Sequence, residues 1–314
     1  MFADIATRML LVATVMGVTL CLIFFPWSVD VPLDAKEQAD LQKYYATAYA
    51  TQGSTEEDEN SSYVRIAKEA ADRADITGLV RGFAQQYGLE HKKVLDIGAG
   101  RGYLQDIVDD YVGLDISPSA KRFFHKPFIL GSATYMPVAT NEFDAIWTIW
   151  VLEHVPNPEA ALVEMRRAVK DGGLLYLLPA WGDIPYAANG YPVRPYSDFG
   201  WTGKLVKAVM PFDLWAWGFS KPLTHAVRYA SSKALGGPTR LHYKRLTPNY
   251  KEYWMSDSDA VNSLDRDELE MWFRTRGDEC LNCDGKIHMW EAKTDPLILR
   301  VRKPRPAQQE RANR

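Results

Sequence analysis

The run Asp96-Ile-Gly-Ala-Gly-Arg-Gly102 closes an apolar segment that starts at Val94, and it sets Gly98, Gly100 and Gly102 at alternate positions behind a carboxylate. Glycine lets a backbone turn tightly and approach a ligand with no Cβ in the way, so this is the composition of a nucleotide-type binding turn between a strand and a helix. Its order departs from the G-x-G-x-x-G of dinucleotide sites. Asp96 would repel a pyrophosphate, which argues against a nicotinamide dinucleotide and for a ligand carrying a cationic group. A second acid, Asp115, ends the next apolar segment in Val112-Gly-Leu-Asp-Ile-Ser-Pro118. Its two oxygens can accept hydrogen bonds from both hydroxyls of a ribose. His154, in Leu152-Glu-His-Val-Pro156, is the group best placed to move a proton near neutral pH. Glu153 and His154 could equally hold the start of a helix.

These residues need a scaffold that brings strand ends together. Short apolar strands are expected at 93–97, 111–114, 128–130, 145–148 and 174–178, alternating with helices at 103–109, 119–124 and 158–169. That is the pattern of an α/β, Rossmann-like doubly wound fold, a mainly parallel sheet with helices on both faces. The third helix starts with Asn157 as N-cap, Pro158 at the first helical position and Glu159 in the first turn, and stops at Asp171-Gly-Gly173. From Pro179 to Tyr253 a Trp-, Tyr- and Pro-rich stretch breaks the alternation and reads as an insertion after the fifth strand. A helix at 265–275 and strands near 279–282 and 296–301 complete the core. Upstream, 36–50 has helical spacing with Tyr44, Tyr45 and Tyr49, 52–62 is an acidic solvated loop, and 62–87 holds amphipathic helices. The expected division is a membrane anchor at 1–30, a helical lid and linker at 31–92, the core with the cofactor site at 93–180, the insertion at 181–253, the remaining core at 254–303 and a disordered tail at 304–314.

With these motifs in order, the segment from Val94 to Pro179 resembles the class I S-adenosylmethionine-dependent methyltransferases, especially the group of small-molecule and ubiquinone-pathway enzymes. The resemblance implies S-adenosyl-L-methionine as cofactor, with Asp96, Gly98, Gly100 and Gly102 forming the loop around its methionine end. It implies that Asp115 and Ile116 hold the ribose and flank the adenine. Gly131-Ser-Ala-Thr-Tyr-Met-Pro137 resembles the family's G-D-A-x-x-L-P segment, so Ala133 and Met136 should line the adenine ring. Ser132 replaces the usual acid there, and its hydroxyl can still accept a hydrogen bond. The sulfonium methyl should point to the end of the fourth strand, making Ile149 and Trp150 the floor of the reaction and His154 the candidate base. Some related O-methyltransferases bind a divalent metal through acids and a histidine in this segment. Trp150 stands where the first of those acids would be, so no metal is expected. Tyr44, Tyr45 and Tyr49 lie where family members carry a lid, and Asp183 and Tyr186 follow the fifth strand toward the acceptor side.

The 314 residues suit one α/β domain with an extra module, and a formal net charge of −3 gives no global case for nucleic acid. Three cysteines are too few for a disulfide scaffold, which fits a reducing compartment, and Cys280-Leu-Asn-Cys283 has the spacing of half a zinc or redox site without its second half, so a structural role is expected of the pair. No charged side chain occurs from Met9 to Val29, near the roughly 20 residues that cross a bilayer as a helix. No small-x-small cleavage signal follows, so the segment reads as a retained single-pass anchor. A cytosolic cofactor then places the catalytic domain in the cytoplasm. From Trp201 to Leu246, Lys and Arg are interleaved with Trp, Phe and Tyr around the single acid Asp213, a composition suited to a membrane surface. The expected function is methyl transfer, most simply to oxygen, on a membrane-associated or lipid-linked small molecule or glycan. The rival is a membrane-tethered protein that binds the cofactor or acts as a scaffold without turnover.

Overall fold

A computed structural model describes residues 2–32, 35–48, 62–283 and 295–303. Tyr49, the acidic loop up to residue 61 and the tail at 304–314 lie outside the described residues. The elements in chain order are α1 (Phe2–Phe24), α2 (Ala35–Ala48), α3 (Ser62–Arg73), α4 (Ile76–Gln86), β1 (Lys93–Ile97), β2 (Asp110–Asp115), β3 (Phe128–Leu130), β4 (Phe143–Ile149), α5 (Pro158–Ala168) and β5 (Val169–Leu178). They continue with α6 (Trp201–Leu235), β6 (Lys244–Arg245), β7 (Asn262–Ser263), α7 (Arg266–Arg274), β8 (Glu279–Cys280) and β9 (Leu297–Arg300).

Seven strands form one sheet in the order β3-β2-β1-β4-β5-β9-β8. The five from β3 to β5 are parallel, and β9 runs antiparallel to both β5 and β8. Successive side chains on a strand face opposite ways, so an apolar strand feeds two cores at once. Val94, Trp147 and Tyr176 pack on the side covered by α4 through Val80 and Phe83. Leu95, Ile146 and Leu175 face the other way, against α5 through Leu162 and Met165 and against α7 through Trp272 and Phe273. The mostly parallel Rossmann-like sheet is therefore as expected from the sequence.

Several local expectations are corrected. Residues 103–109 form turns: Gln105 and Ile107 donate only to carbonyls three residues back, at 3.1 Å each. Seven residues repay helix nucleation poorly, and Leu104 and Val108 are held by burial instead. Pro118–Phe123 is a 3-10 helix, and β5 begins at Val169 directly after α5, running through Gly172 and Gly173. The insertion, for which the sequence indicated no element, contains the 35-residue helix α6. Cys280 and Cys283 are bonded to one another, so the pair closes a short loop at β8 instead of offering free thiols.

The cap of α5 is also not the local one. Asn157 makes no side-chain cap hydrogen bond. The N–H groups of Glu159 and Ala160 donate instead to the carboxylate of Asp30, at 3.3 and 2.9 Å, and the Tyr243 hydroxyl donates to the same group at 3.2 Å. A carboxylate at a helix N-terminus satisfies free N–H groups and meets the positive end of the dipole. Asp30→Ala is therefore expected to cost about 1–2 kcal/mol in urea unfolding, with Asn157→Ala costing less.

Candidate active site

Strands β1 and β4 are neighbours with Ile97 opposite Thr148, so the turns that leave them open on one edge of the sheet. Beyond Ile97 the chain bends through Gly98, Gly100 and Gly102, with φ of 71°, 52° and 70°. Gly98 leaves no room for another residue, since a Cβ there would stand 2.2 Å from Val151 Cγ2. The N–H of Gly98 donates to the Leu114 carbonyl of β2 at 2.8 Å, and that of Gly100 donates to Asp115 Oδ2 at 2.8 Å. Asp115 Oδ1 accepts from the Ser117 N–H at 2.8 Å. Both oxygens are thus fixed by backbone, and each retains a lone pair for a ligand hydroxyl. Burial raises the Asp115 pKa, opposed by these N–H donors.

A cavity of about 340 Å³ opens above the strand ends. Gly98, Asp115, Ile116, Ser132 and Ala133 line it on one side, and Trp150 and His154 on the other. The remaining expected residues lie outside the lining of the cavity. Asp96 is buried beneath the turn, where it accepts the Tyr111 hydroxyl at 2.7 Å and burial pushes its pKa up to about 7. Met136 lies in the core and Ile149 packs against the α4 side, while Gly100 and Gly102 shape the turn without lining the cavity. Ser132 Oγ shares a 2.9 Å hydrogen bond with Thr134 Oγ1. Trp150 sits at φ 52°, a conformation uncommon for a bulky residue, and its N–H donates to the Leu178 carbonyl at 2.8 Å. Helix α2 contributes Leu41, Gln42 and Tyr45 to the lining of the cavity.

His154 sits among acids. Its Nδ1 is 3.6 Å from Asp259 Oδ2, and its Nε2 is 3.8 Å from both Glu153 Oε1 and Asp257 Oδ1. Burial works against the imidazolium, but Asp259, Glu153 and Asp257 outweigh it, so the His154 pKa is raised above the ordinary 6.5. Burial also raises Glu153, Asp257 and Asp183, with mutual repulsion adding to the shift. Neither Glu153 oxygen makes a hydrogen bond of good geometry among the described residues. Glu153, His154 and Asp257 offer donor atoms within 4.8 Å of one another, a spacing a divalent cation can also use.

Asp257 and Asp259 were not found from the sequence, where their only signal is the alternation Asp-Ser-Asp. The chain returning from the insertion delivers them: the Val261 N–H donates to the Glu153 carbonyl at 2.9 Å, and Asn262 Nδ2 donates to the Val155 carbonyl at 2.5 Å. Tyr45 donates its hydroxyl to Asp259 Oδ2 at 2.8 Å, and Tyr44 packs on Tyr250 at 4.8 Å between centroids. The Tyr186 hydroxyl donates to Asp213 of α6 at 2.8 Å.

Residues 95–177 match a family model described as a methyltransferase domain. Demethylmenaquinone methyltransferase of Renibacterium salmoninarum is 38% identical over 33% of this chain and 49% of its own length. Ubiquinone/menaquinone biosynthesis C-methyltransferase UbiE of Cupriavidus taiwanensis is 29% identical over 47% of this chain and 58% of its own. Ubiquinone biosynthesis O-methyltransferase of Dechloromonas aromatica is 32% identical over 30% of this chain and 46% of its own. The chain thus spans about half the length of these curated relatives. Gly98→Ala is expected to weaken S-adenosylmethionine binding at least about tenfold in calorimetry, because the added methyl displaces Val151 from the cavity wall and strains the turn.

Proposed function

Residues 95–177 belong to the class I S-adenosylmethionine-dependent methyltransferases, and from that premise we propose that the protein methylates a hydroxyl group of a membrane-associated small molecule. The observation that carries the hydroxyl acceptor is His154 at the cavity edge, buried among carboxylates beside the end of β4. The residues fit the cofactor: Asp115 presents fixed oxygens to a ribose, Ile116 and Ala133 give apolar walls for an adenine, and Gly98 lets the backbone approach. When bound, S-adenosylmethionine supplies an electrophilic methyl group on a sulfonium.

The chain's own part is to position the acceptor and take its proton. His154 in its neutral form would accept the hydroxyl proton as the acceptor oxygen takes the methyl group and the methyl–sulfur bond breaks to leave S-adenosylhomocysteine, and the neighbouring carboxylates would stabilise the resulting imidazolium. Trp150 and the covering Tyr45 narrow the space around the reacting atoms and exclude water. The acceptor class rests on α1, where Ile5–Phe24 is long and apolar enough to cross a membrane and only 11% buried. Attachment through α1 keeps the catalytic domain on the cytoplasmic face, where the cofactor is made. Relatives named for menaquinone and ubiquinone pathways support an isoprenoid-type acceptor.

A base must be deprotonated to work, so turnover is expected to climb as pH rises through a midpoint above 6.5. His154→Gln should lower kcat by about 100- to 10,000-fold and abolish that limb, with S-adenosylmethionine affinity retained. The measurement is S-adenosylhomocysteine release against pH, with membrane extracts as acceptor source. Inhibition by EDTA, reversed by a divalent salt, would assign Glu153, His154 and Asp257 to a metal instead.

A further inference from the structure

Helix α6 is amphipathic the wrong way round for water. Every exposed residue from Leu205 to Ala230 is glycine, alanine, proline, aliphatic or aromatic. Phe212 is 66% exposed and Trp215 60%, with Phe219, Leu223 and Val227 continuing the stripe. The charged side chains in the same stretch turn inward and are paired. Lys207 Nζ donates to the Arg194 carbonyl at 2.7 Å, and Asp213 accepts from Tyr186 at 2.8 Å. His225 lies 3.1 Å from Asp265 and 3.3 Å from Asp267, and Arg228 lies 2.7 Å from Glu268. A surface helix in water shows the opposite arrangement, polar out and apolar in. An apolar patch of this extent marks an interaction surface.

We propose that α6 lies lengthwise in one leaflet of a lipid bilayer, its outward stripe in the acyl region and its inward charges on the protein, with α1 alongside it. The inward pairs run from Lys207 to Arg228, about 30 Å at 1.5 Å per residue. The helix is therefore flat against the domain over that length. Were α6 to cross the bilayer, it would draw Asp265, Asp267 and Glu268 of the domain into hydrocarbon together with their partners on α6, where even a paired charge is costly to desolvate. An in-plane helix avoids this. Exposed Lys204 and Lys233 bound the stripe, and Trp201, 80% exposed, stands at its start, the cationic and aromatic border of an interfacial helix.

Helix α1 extends the same surface. Gly17 faces Leu223, with 4.0 Å from the position of a Cβ to Leu223 Cδ2. The Lys244 ammonium meets both Phe24, at 5.7 Å, and Trp217, at 5.1 Å. Residues 17 and 24 of α1 thus meet 223 and 217 of α6, so the helices are antiparallel. Beside a helix held flat on the domain, α1 lies in the same leaflet instead of spanning. Lipid is the occupant because the stripe is continuous with an apolar run of bilayer length and carries no outward charge for a protein partner to match.

The inference draws on the membrane attachment proposed above only for the presence of a bilayer. Its test uses the full chain in a Cys21→Ala background, with a nitroxide on Phe212→Cys, Phe219→Cys, Val227→Cys, Val12→Cys of α1, or Leu79→Cys on the exposed side of α4. Accessibility to dioxygen and to a nickel chelate is read on vesicles of phosphatidylcholine with a minor share of phosphatidylglycerol. The three α6 labels should be reached by oxygen, shielded from nickel and at one common depth, with the ratio reversed at Leu79. Nickel-accessible α6 labels beside a lipid-buried Val12 label would overturn this inference and leave the anchor standing; aqueous labels at all four sites would overturn both. A depth that increases steadily along α6 would show a crossing helix and also overturn it.

Discussion

Several acids and one imidazole share the buried space under the cavity, and keeping those charges from water is the constraint to which the rest of the site answers. A buried carboxylate is costly unless it is paired or neutralised. Here Glu153, Asp183 and Asp257 are raised by burial, while His154 draws positive charge toward them. Mutually repelling groups stay together only if the backbone around them is clamped. The clamp comes from the segment after the insertion: Arg245 donates to the Pro156 carbonyl at 2.8 Å, Asn262 to Val155 and Val261 to Glu153. The turn that carries His154 is thereby built from two distant parts of the chain.

The same clamp reaches the apolar helices. Ser28, just after α1, pairs with Tyr243 through reciprocal backbone hydrogen bonds of 3.0 Å, and Asp30 caps α5 directly behind the Pro156-Asn157 wall of the cavity. A displacement at the exit of α1 is therefore felt within a few bonds at the turn that carries His154. The insertion that carries α6 returns through β6 and β7 into this wall. The parts furthest in character from an ordinary α/β core are those that complete its site.

How much the sequence showed depended on how local the physics was. The strands β1, β4 and β5 were legible because burial on both faces demands unbroken apolar runs, and Gly98 because a tight turn demands glycine. Asp115 was legible as an acid at a strand end. Asp96 was legible as an acid at the end of β1, but its burial against Tyr111 beneath the turn was not. Asp257 and Asp259 reach His154 only through long-range pairing, which leaves little trace in neighbouring residues. Likewise Asn157 has the type of an N-cap, yet tertiary structure gave that place to Asp30. The helix α6 escaped because Pro211, Pro222 and several aromatic residues obscure its periodicity, while the face it turns outward is the one expected to turn in.

Tyr45 belongs at once to the lining of the cavity and to the charge set around His154, because its hydroxyl donates to Asp259. Any movement of α2 away from the cavity must break that bond. Asp259 then loses a donor and, at 3.6 Å from Nδ1, pulls harder on a proton at His154. The wall of the cavity and the charge around His154 are therefore tied through one hydroxyl, and neither can shift alone.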